Sequence, residues 1–216
     1  MTWVSRLTIS ATIITGAAAA SAAACPVPAD MERAGIVIGF ADGSEVVYAA
    51  LQTQPGRMIE ANRTPEPNDG YWVESWLGVY PLADGLLRNG RPDRRYFSVS
   101  NYEDPLERLP APAPGASWRG AVTETDSRGA TLGETFLTVT FEGRRRLQIG
   151  QCAYAAIQVE TLYADAEGGF QATLDYLPDL GVAVQTAGGE LGALLDFYHP
   201  VSIRAARPDE AIAEVE

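Results

Sequence analysis

Apolar and polar residues alternate at single-residue spacing along much of this chain. In the clearest run, 170–176, the two kinds of side chain exchange at every position, and 137–141 and 157–160 repeat the pattern. A period of two places successive side chains on opposite faces of a β-strand. We therefore predict a strand with one buried face in each of these runs.

Turn sequences separate the runs. The apolar stretches 36–40 and 45–48 flank Ala41-Asp42-Gly43-Ser44, and an Asp-Gly pair supplies the positive φ angles of a tight hairpin turn. Glycine-rich acidic clusters at 126–129 and 167–169 mark further turns. The sequence predicts an all-β protein with little helix, with further strands at 57–62, 71–80 and 94–102.

The segment 105–115 holds four prolines, at positions 105, 110, 112 and 114. Proline donates no backbone hydrogen bond, so we expect an extended connection here and no central strand. The segment could be a domain boundary or a strap within one domain. We favour the strap, because the roughly 80 residues before it would form only a small, marginal sheet.

Residues 1–24 have the pattern of a secretory signal peptide. Arg6 precedes an uncharged stretch that ends in small residues before Cys25. A membrane anchor is the alternative, but several Ser and Thr residues interrupt the stretch and no charge cluster follows it. We predict removal of 1–24, a single β domain at 25–216, and a periplasmic or secreted location.

Composition excludes several function classes. Asp and Glu number 28 against 16 basic residues, a net charge of −12, which disfavours nucleic acid and anionic membranes as partners. Every basic residue is arginine, so lysine Schiff-base chemistry and Walker-type phosphate loops are excluded. The only histidine, His199, cannot build a multi-histidine metal site, and no G-x-S-x-G motif accompanies it. We predict no cofactor and no metal.

The two cysteines, Cys25 and Cys152, allow two fates. An even number of cysteines in an exported protein favours a disulfide between them. The alternative is acylation of Cys25, as in lipoproteins, which would leave Cys152 free and attach the protein to a membrane.

The densest aromatic group comprises Tyr71, Trp72, Trp76 and Tyr80. On one strand these residues, together with the intervening apolar ones, would make both faces apolar. Such a strand either lies in the middle of a wrapped sheet or presents an aromatic face to a sugar or lipid. We favour core packing, and retain the four residues as the candidate ligand-binding group.

Acidic residues supply the alternative hypothesis. A glycosidase needs two carboxylates about 5 to 10 Å apart. Solvated strand faces and turns are the simpler interpretation of such residues. The candidates are Glu74, Glu124, Asp126, Glu134, Asp175 and Asp179.

Three segments carry a resemblance to known proteins: 35–48, with its Asp-Gly turn after an early cysteine, Gly150-Gln151-Cys152-Ala153-Tyr154, and 176–184. In these segments the chain resembles uncharacterised exported bacterial proteins. The resemblance implies an antiparallel sheet wrapped into a half-open barrel, loosely similar to periplasmic lipoprotein carriers, with no assigned activity. It also supports a Cys25–Cys152 bridge.

Two functional hypotheses follow. The first is a non-catalytic envelope protein that holds an apolar ligand or a partner protein in a half-open barrel. The second is a hydrolase of envelope glycans that uses paired carboxylates.

Overall fold

The computed structural model describes residues 24–64 and 70–212, and the predicted signal peptide lies outside them except for Ala24. In this part of the chain there is one short α-helix, α1, at Pro28–Arg33, and one 3-10 turn at Leu106–Arg108. No helix within 24–64 and 70–212 is long and apolar enough to cross a bilayer. The strands are β1 Ile36–Phe40, β2 Glu45–Ala50, β3 Arg57–Arg63, β4 Gly70–Trp76, β5 Tyr80–Arg88, β6 Arg91–Tyr102, β7 Ser117–Asp126, β8 Thr131–Ile149, β9 Cys152–Ala164, β10 Gly169–Leu177, β11 Val182–Glu190, β12 Asp196–Phe197 and β13 Pro200–Ala205.

All thirteen strands belong to one antiparallel sheet. From β1 to β12 each strand pairs with its neighbours in the chain, and β13 returns to pair with β1. The sheet wraps around itself without closing, which confirms the predicted all-β fold and half-open barrel. The predicted hairpin at 36–48 is β1 and β2, paired from Ile36 and Tyr48 onward.

The last strands bring the two edges of the sheet close together. Phe197 in β12 pairs with Ala187 in β11, and the Tyr198 N–H donates to the Thr186 carbonyl at 2.9 Å. The carbonyl of the next residue, His199, accepts from the Ala41 N–H at 3.0 Å, and β13 then runs beside β1. One extended segment, 196–205, therefore pairs first with one edge and then with the other. We call it the seam segment.

The hairpin turns of an up-and-down sheet alternate between its two ends. In this protein, side chains fill the space that the sheet encloses at one of these ends. One core cluster includes Tyr80, Phe141 and Ile157, and a second includes Ile36 and Leu177. Phe141 and Tyr80 have no exposed surface, and their rings meet edge to face at 6.5 Å between centroids. We call the end of the sheet that contains these two clusters the filled end.

Two connections cover the filled end. Leu109, from the proline-rich segment, packs into the cluster of Tyr80, whose hydroxyl donates to the Pro110 carbonyl at 3.0 Å. Met31 of α1 packs into the other cluster. A disulfide joins Cys25, just before α1, to Cys152 at the start of β9. The predicted bridge is therefore present, and a bridged Cys25 has no thiol available for acylation.

The outer face of the first strands is covered as well. Val37, Ile59 and Trp72 form a third cluster that Ile212 of the C-terminal segment joins. Arg204 holds the buried Glu210 with two bonds of 2.6 and 2.8 Å. These bonds hold the pKa of Glu210 down at about 2. The C-terminal segment thus covers the back of the sheet.

The single strand predicted at 71–80 is wrong. Residues 77–79 form a turn between β4 and β5, in which Leu77 has a φ of 54° and Gly78 a φ of 70°. A Cβ at position 78 would lie 2.5 Å from the Gly181 carbonyl oxygen. The turn therefore requires glycine at 78 both for its backbone angles and for its contact with the β10–β11 turn.

Candidate ligand-binding cavity

The end of the sheet opposite the filled end, the open end, contains a cavity of about 880 Å³. Strands β4 to β10 form its walls, and the β7–β8 turn at Ser127 and Arg128 lies at its mouth. A smaller pocket of about 320 Å³ lies beside it, against β1 to β4, β10 and β11. Tyr71 contributes to both walls, so the two spaces adjoin.

The cavity exists because the inward positions at the open end carry small or polar side chains. Ser98 and Ser100 of β6 line it. At the filled end, inward positions of neighbouring strands carry Trp118 and Phe141. Small residues cannot fill the space enclosed by the curved sheet, and an open volume remains.

Apolar and aromatic side chains surround the mouth. Tyr96 is 67% exposed and Leu86 is 65% exposed, although both are large. Exposed apolar residues gathered at the rim of a concave space are typical of a binding surface. The apolar lining residues are Tyr71, Val73, Pro81, Leu86, Tyr96, Phe97, Leu132, Tyr163 and Phe170.

Five carboxylates line these two spaces, and three of them, Glu60, Asp84 and Glu124, act electrostatically on Tyr163. Asp84 and Glu124 line the larger cavity, and Glu60 lines the smaller pocket. The Ser98 hydroxyl donates to Asp84, and the Asn62 amide donates to Glu60. Among the residues that the structure describes, no arginine forms an ion pair with any of the three carboxylates. The wall is therefore apolar with uncompensated acidic groups.

Burial favours the protonated forms of Glu60 and Glu124. It raises the pKa of Glu60 to about 7, against the opposing effect of the Asn62 hydrogen bond. Burial also raises the pKa of Glu124, and the negative charges of Asp84 and Asp165 raise it further. A carboxylate removed from water, with no cation beside it, binds its proton more tightly.

Tyrosine hydroxyls lie among the carboxylates. Burial, followed by the charges of Glu124, Glu60 and Asp84, raises the pKa of Tyr163 above its usual range. The same causes, burial first and then Glu60, raise the pKa of Tyr71 to about 12. Both phenols are neutral at neutral pH and present their rings to the cavity.

The structure separates the four aromatic residues singled out from the sequence. Tyr71 lies in the cavity wall. Trp72 is fully buried on the outer face, beneath the Arg94 guanidinium at 4.7 Å, and Tyr80 is fully buried at the filled end. Trp76 packs, partly buried, against the same cluster as Tyr80. Only Tyr71 of the four faces the open volume, and ligand binding by it stays a prediction.

The acidic candidates separate in a similar way. Arg57 pairs with the buried Glu74 at 2.6 Å, and Arg145 binds both oxygens of the fully buried Asp175. Glu134 and Asp179 are exposed to solvent and do not line the cavity. Glu124 and Asp126 do line it. The Asp126 carboxylate accepts the backbone N–H groups of 128 and 130, so it shapes the turn.

The remaining candidates from the sequence are His199 and a metal site. His199 is exposed in the seam segment. Within 24–64 and 70–212, no group of three or more His, Cys, Asp or Glu residues could hold a metal ion. No protein-family model, curated protein or solved structure matches the chain. The cavity is therefore the feature on which a function can be argued.

Proposed function

We propose that this is an exported, non-catalytic envelope protein that holds a ligand with an apolar part in the cavity of its half-open barrel. The cavity of about 880 Å³ at the open end is the observation that carries the proposal. Its volume suits a small molecule, because ligand pockets typically enclose roughly 300–1,000 Å³. The filled end gives the cavity a rigid floor.

The disulfide and the signal-peptide pattern support a site of action outside the cytoplasm. Disulfides persist in oxidising compartments and are rare in the cytosol. The bridge connects the start of the mature chain to β9 and supports the filled end. An envelope carrier would need such stability without relying on cytoplasmic chaperones.

The experiment is binding of the neutral fluorescent probe N-phenyl-1-naphthylamine. We expect saturable binding by the mature protein and its loss in Ser100→Trp, which fills the cavity from β6. Phe170→Ala, in the cavity wall, should weaken binding. Phe197→Ala is the matched control, because Phe197 is 69% exposed on β12 and does not line the cavity.

Circular dichroism of each variant separates loss of the cavity from loss of the fold. Unchanged probe binding by a folded Ser100→Trp protein would overturn the proposal. Native mass spectrometry of protein purified without detergent gives a second readout, namely retention of a small apolar molecule by the unmodified protein.

A glycan hydrolase is the second candidate, and one observation favours it. Glu124 has a raised pKa and lies near the negative charge of Asp84 in an open cavity, as a general acid beside a base would. It ranks second because arginines already neutralise Glu74 and Asp175. Turnover of cell-wall glycans that is lost in Glu124→Gln would establish it, and absence of turnover by the unmodified protein would eliminate it.

A further inference from the structure

Asp84 of β5 and Glu124 of β7 line the cavity, and Glu60 of β3 lines the adjoining smaller pocket. All three act electrostatically on one residue, Tyr163 of β9. The three carboxylates are therefore grouped around Tyr163, with Glu60 and Glu124 part-buried and Asp84 exposed. Apolar side chains, including Leu86, Tyr96 and Phe170, lie farther out, near the turns.

Arg95 and Arg128 line the cavity and Arg63 lines the smaller pocket, and among the described residues none of the three forms an ion pair with Glu60, Asp84 or Glu124. Asp93 binds Arg95 through both oxygens, at 2.9 and 2.8 Å. Arg63 shares the outward parity of Ile59 and Ala61 in β3, and donates to the Glu210 carbonyl at 3.1 Å. Arg128 lies in the β7–β8 turn, at the mouth. These three arginines therefore do not neutralise Glu60, Asp84 or Glu124.

Glu60 and Glu124 are partly removed from water, whereas Asp84 is exposed and accepts the Ser98 hydroxyl. A carboxylate that is removed from water without a cation beside it is costly, and the cost falls when a cation lies there. The rings of Tyr71 and Tyr163 add a second attraction for a cation, because an aromatic face carries a negative quadrupole. An anionic headgroup would meet repulsion from the same side chains. The chemistry of the wall thus selects positive charge at the inner end of a ligand and apolar structure at its outer end.

We propose that the ligand is an amphipathic organic cation, whose charged nitrogen lies among Glu60, Asp84 and Glu124 and whose apolar part contacts Leu86, Tyr96 and Phe170. This inference rests on the proposed ligand-binding function and adds the chemical class of the ligand. Its support is the combination of cavity, aromatic wall and carboxylates without counter-ions.

A pH dependence follows from the position of Glu60. The ionisable groups around its pocket are Asp42 in the β1–β2 turn, Tyr48 of β2, Arg63 of β3, Tyr71 of β4 and Tyr198 of the seam segment, with Tyr163 of β9 within electrostatic reach. A bound cation favours ionised Glu60. Affinity should therefore rise with pH through the pKa of about 7, with release of a proton on binding.

The test compares three ligands with the same tail: decyltrimethylammonium, decanol and decanoate, below their micelle concentrations, by calorimetry and by displacement of N-phenyl-1-naphthylamine. We expect the cation to bind at least about tenfold more tightly than decanoate, because the carboxylates of the wall repel a like charge. Glu124→Gln and Asp84→Asn should weaken the cation selectively. The matched control is Glu134→Gln, an exposed change outside the cavity.

The outcomes separate the two proposals. Equal or tighter binding of decanol or decanoate would overturn the cation inference and leave the binding function standing. Absence of binding by all three ligands and by the probe would overturn both. Selectivity for the cation that survives the double change Glu124→Gln and Asp84→Asn in a folded protein would overturn the assignment of these carboxylates.

Discussion

The filled and open ends of the sheet are built from the same strands, yet they differ in what their inward positions carry. In β7, Trp118 and Val122 face the core at one end, whereas Glu124 faces the cavity at the other. In β5, Tyr80 packs at the filled end and Asp84 lies at the open end. Backbone pairing continues along both strands. Side-chain size and polarity, not the hydrogen-bond ladder, therefore divide the molecule into a half with a filled core and a half that encloses a cavity.

The largest expected effect comes from the filled end. Phe141→Ala removes a fully buried ring and should destabilise the protein by about 3–5 kcal/mol. Urea unfolding monitored by circular dichroism measures the change, with the exposed Phe197→Ala as control. A loss below about 1 kcal/mol would mean that this end is not the stabilising core.

Reduction of the Cys25–Cys152 bridge should have the next largest effect. The bridge closes a loop spanning a sequence separation of 127, and its loss typically costs about 2–5 kcal/mol. Thermal unfolding with and without reductant, and of Cys152→Ala, should show the same decrease in melting temperature. Folded reduced protein should still bind the neutral probe, because the bridge lies at the opposite end. A melting curve indifferent to reductant would contradict the prediction.

A change of pH should have a smaller effect on the free energy of unfolding. Burial raises the pKa of Glu60 in the folded protein to about 7 from its usual 4.5, so the folded state binds the proton more tightly than the unfolded state does. Stability from this residue is present at low pH and decreases as pH rises from about 4.5 to 7, by on the order of 1–3 kcal/mol. Glu60→Gln should remove this part of the slope in urea titrations at several pH values. An unchanged slope would show that Glu60 is solvated.

The smallest effect on stability should occur at the mouth. Leu86→Ala changes a side chain that is 65% exposed, so the free energy of unfolding should change by no more than about 0.5 kcal/mol. Probe binding should weaken, because Leu86 lines the cavity. A large destabilisation with normal binding would reverse the assignment of the two ends.

Much of the fold was predictable from local pattern. The alternating runs 137–141, 157–160 and 170–176 lie within β8, β9 and β10, because a period of two is a property of each strand alone. The break at 77–79 was missed, since Trp76-Leu77-Gly78-Val79 lacks the Asn-Gly or Asp-Gly pair that marks a tight hairpin. Gly78 was the only local signal.

The cavity was much less predictable. Tyr71 was identified, but Glu60 and Asp84 were not, because alternation cannot tell which face of a strand becomes the concave one. The faint signal was Glu60 itself, an acid that shares a strand face with the buried Met58. Glu60, Asp84 and Glu124 all act on Tyr163 only because the sheet curves and brings strands that are separated in sequence near one another.

The seam segment imposes an order on folding. From β1 to β12 every pairing joins neighbours in the chain, and such contacts form early because little loop entropy opposes them. The pairing of Phe40 with Pro200 instead closes a loop of about 160 residues. Until that closure, β1 keeps a free edge of apolar strand, and such an edge is a template for association with other chains. Among the described residues, β13 is the strand that shields the edge of β1, and we expect a chain shortened before Pro200 to associate through β1.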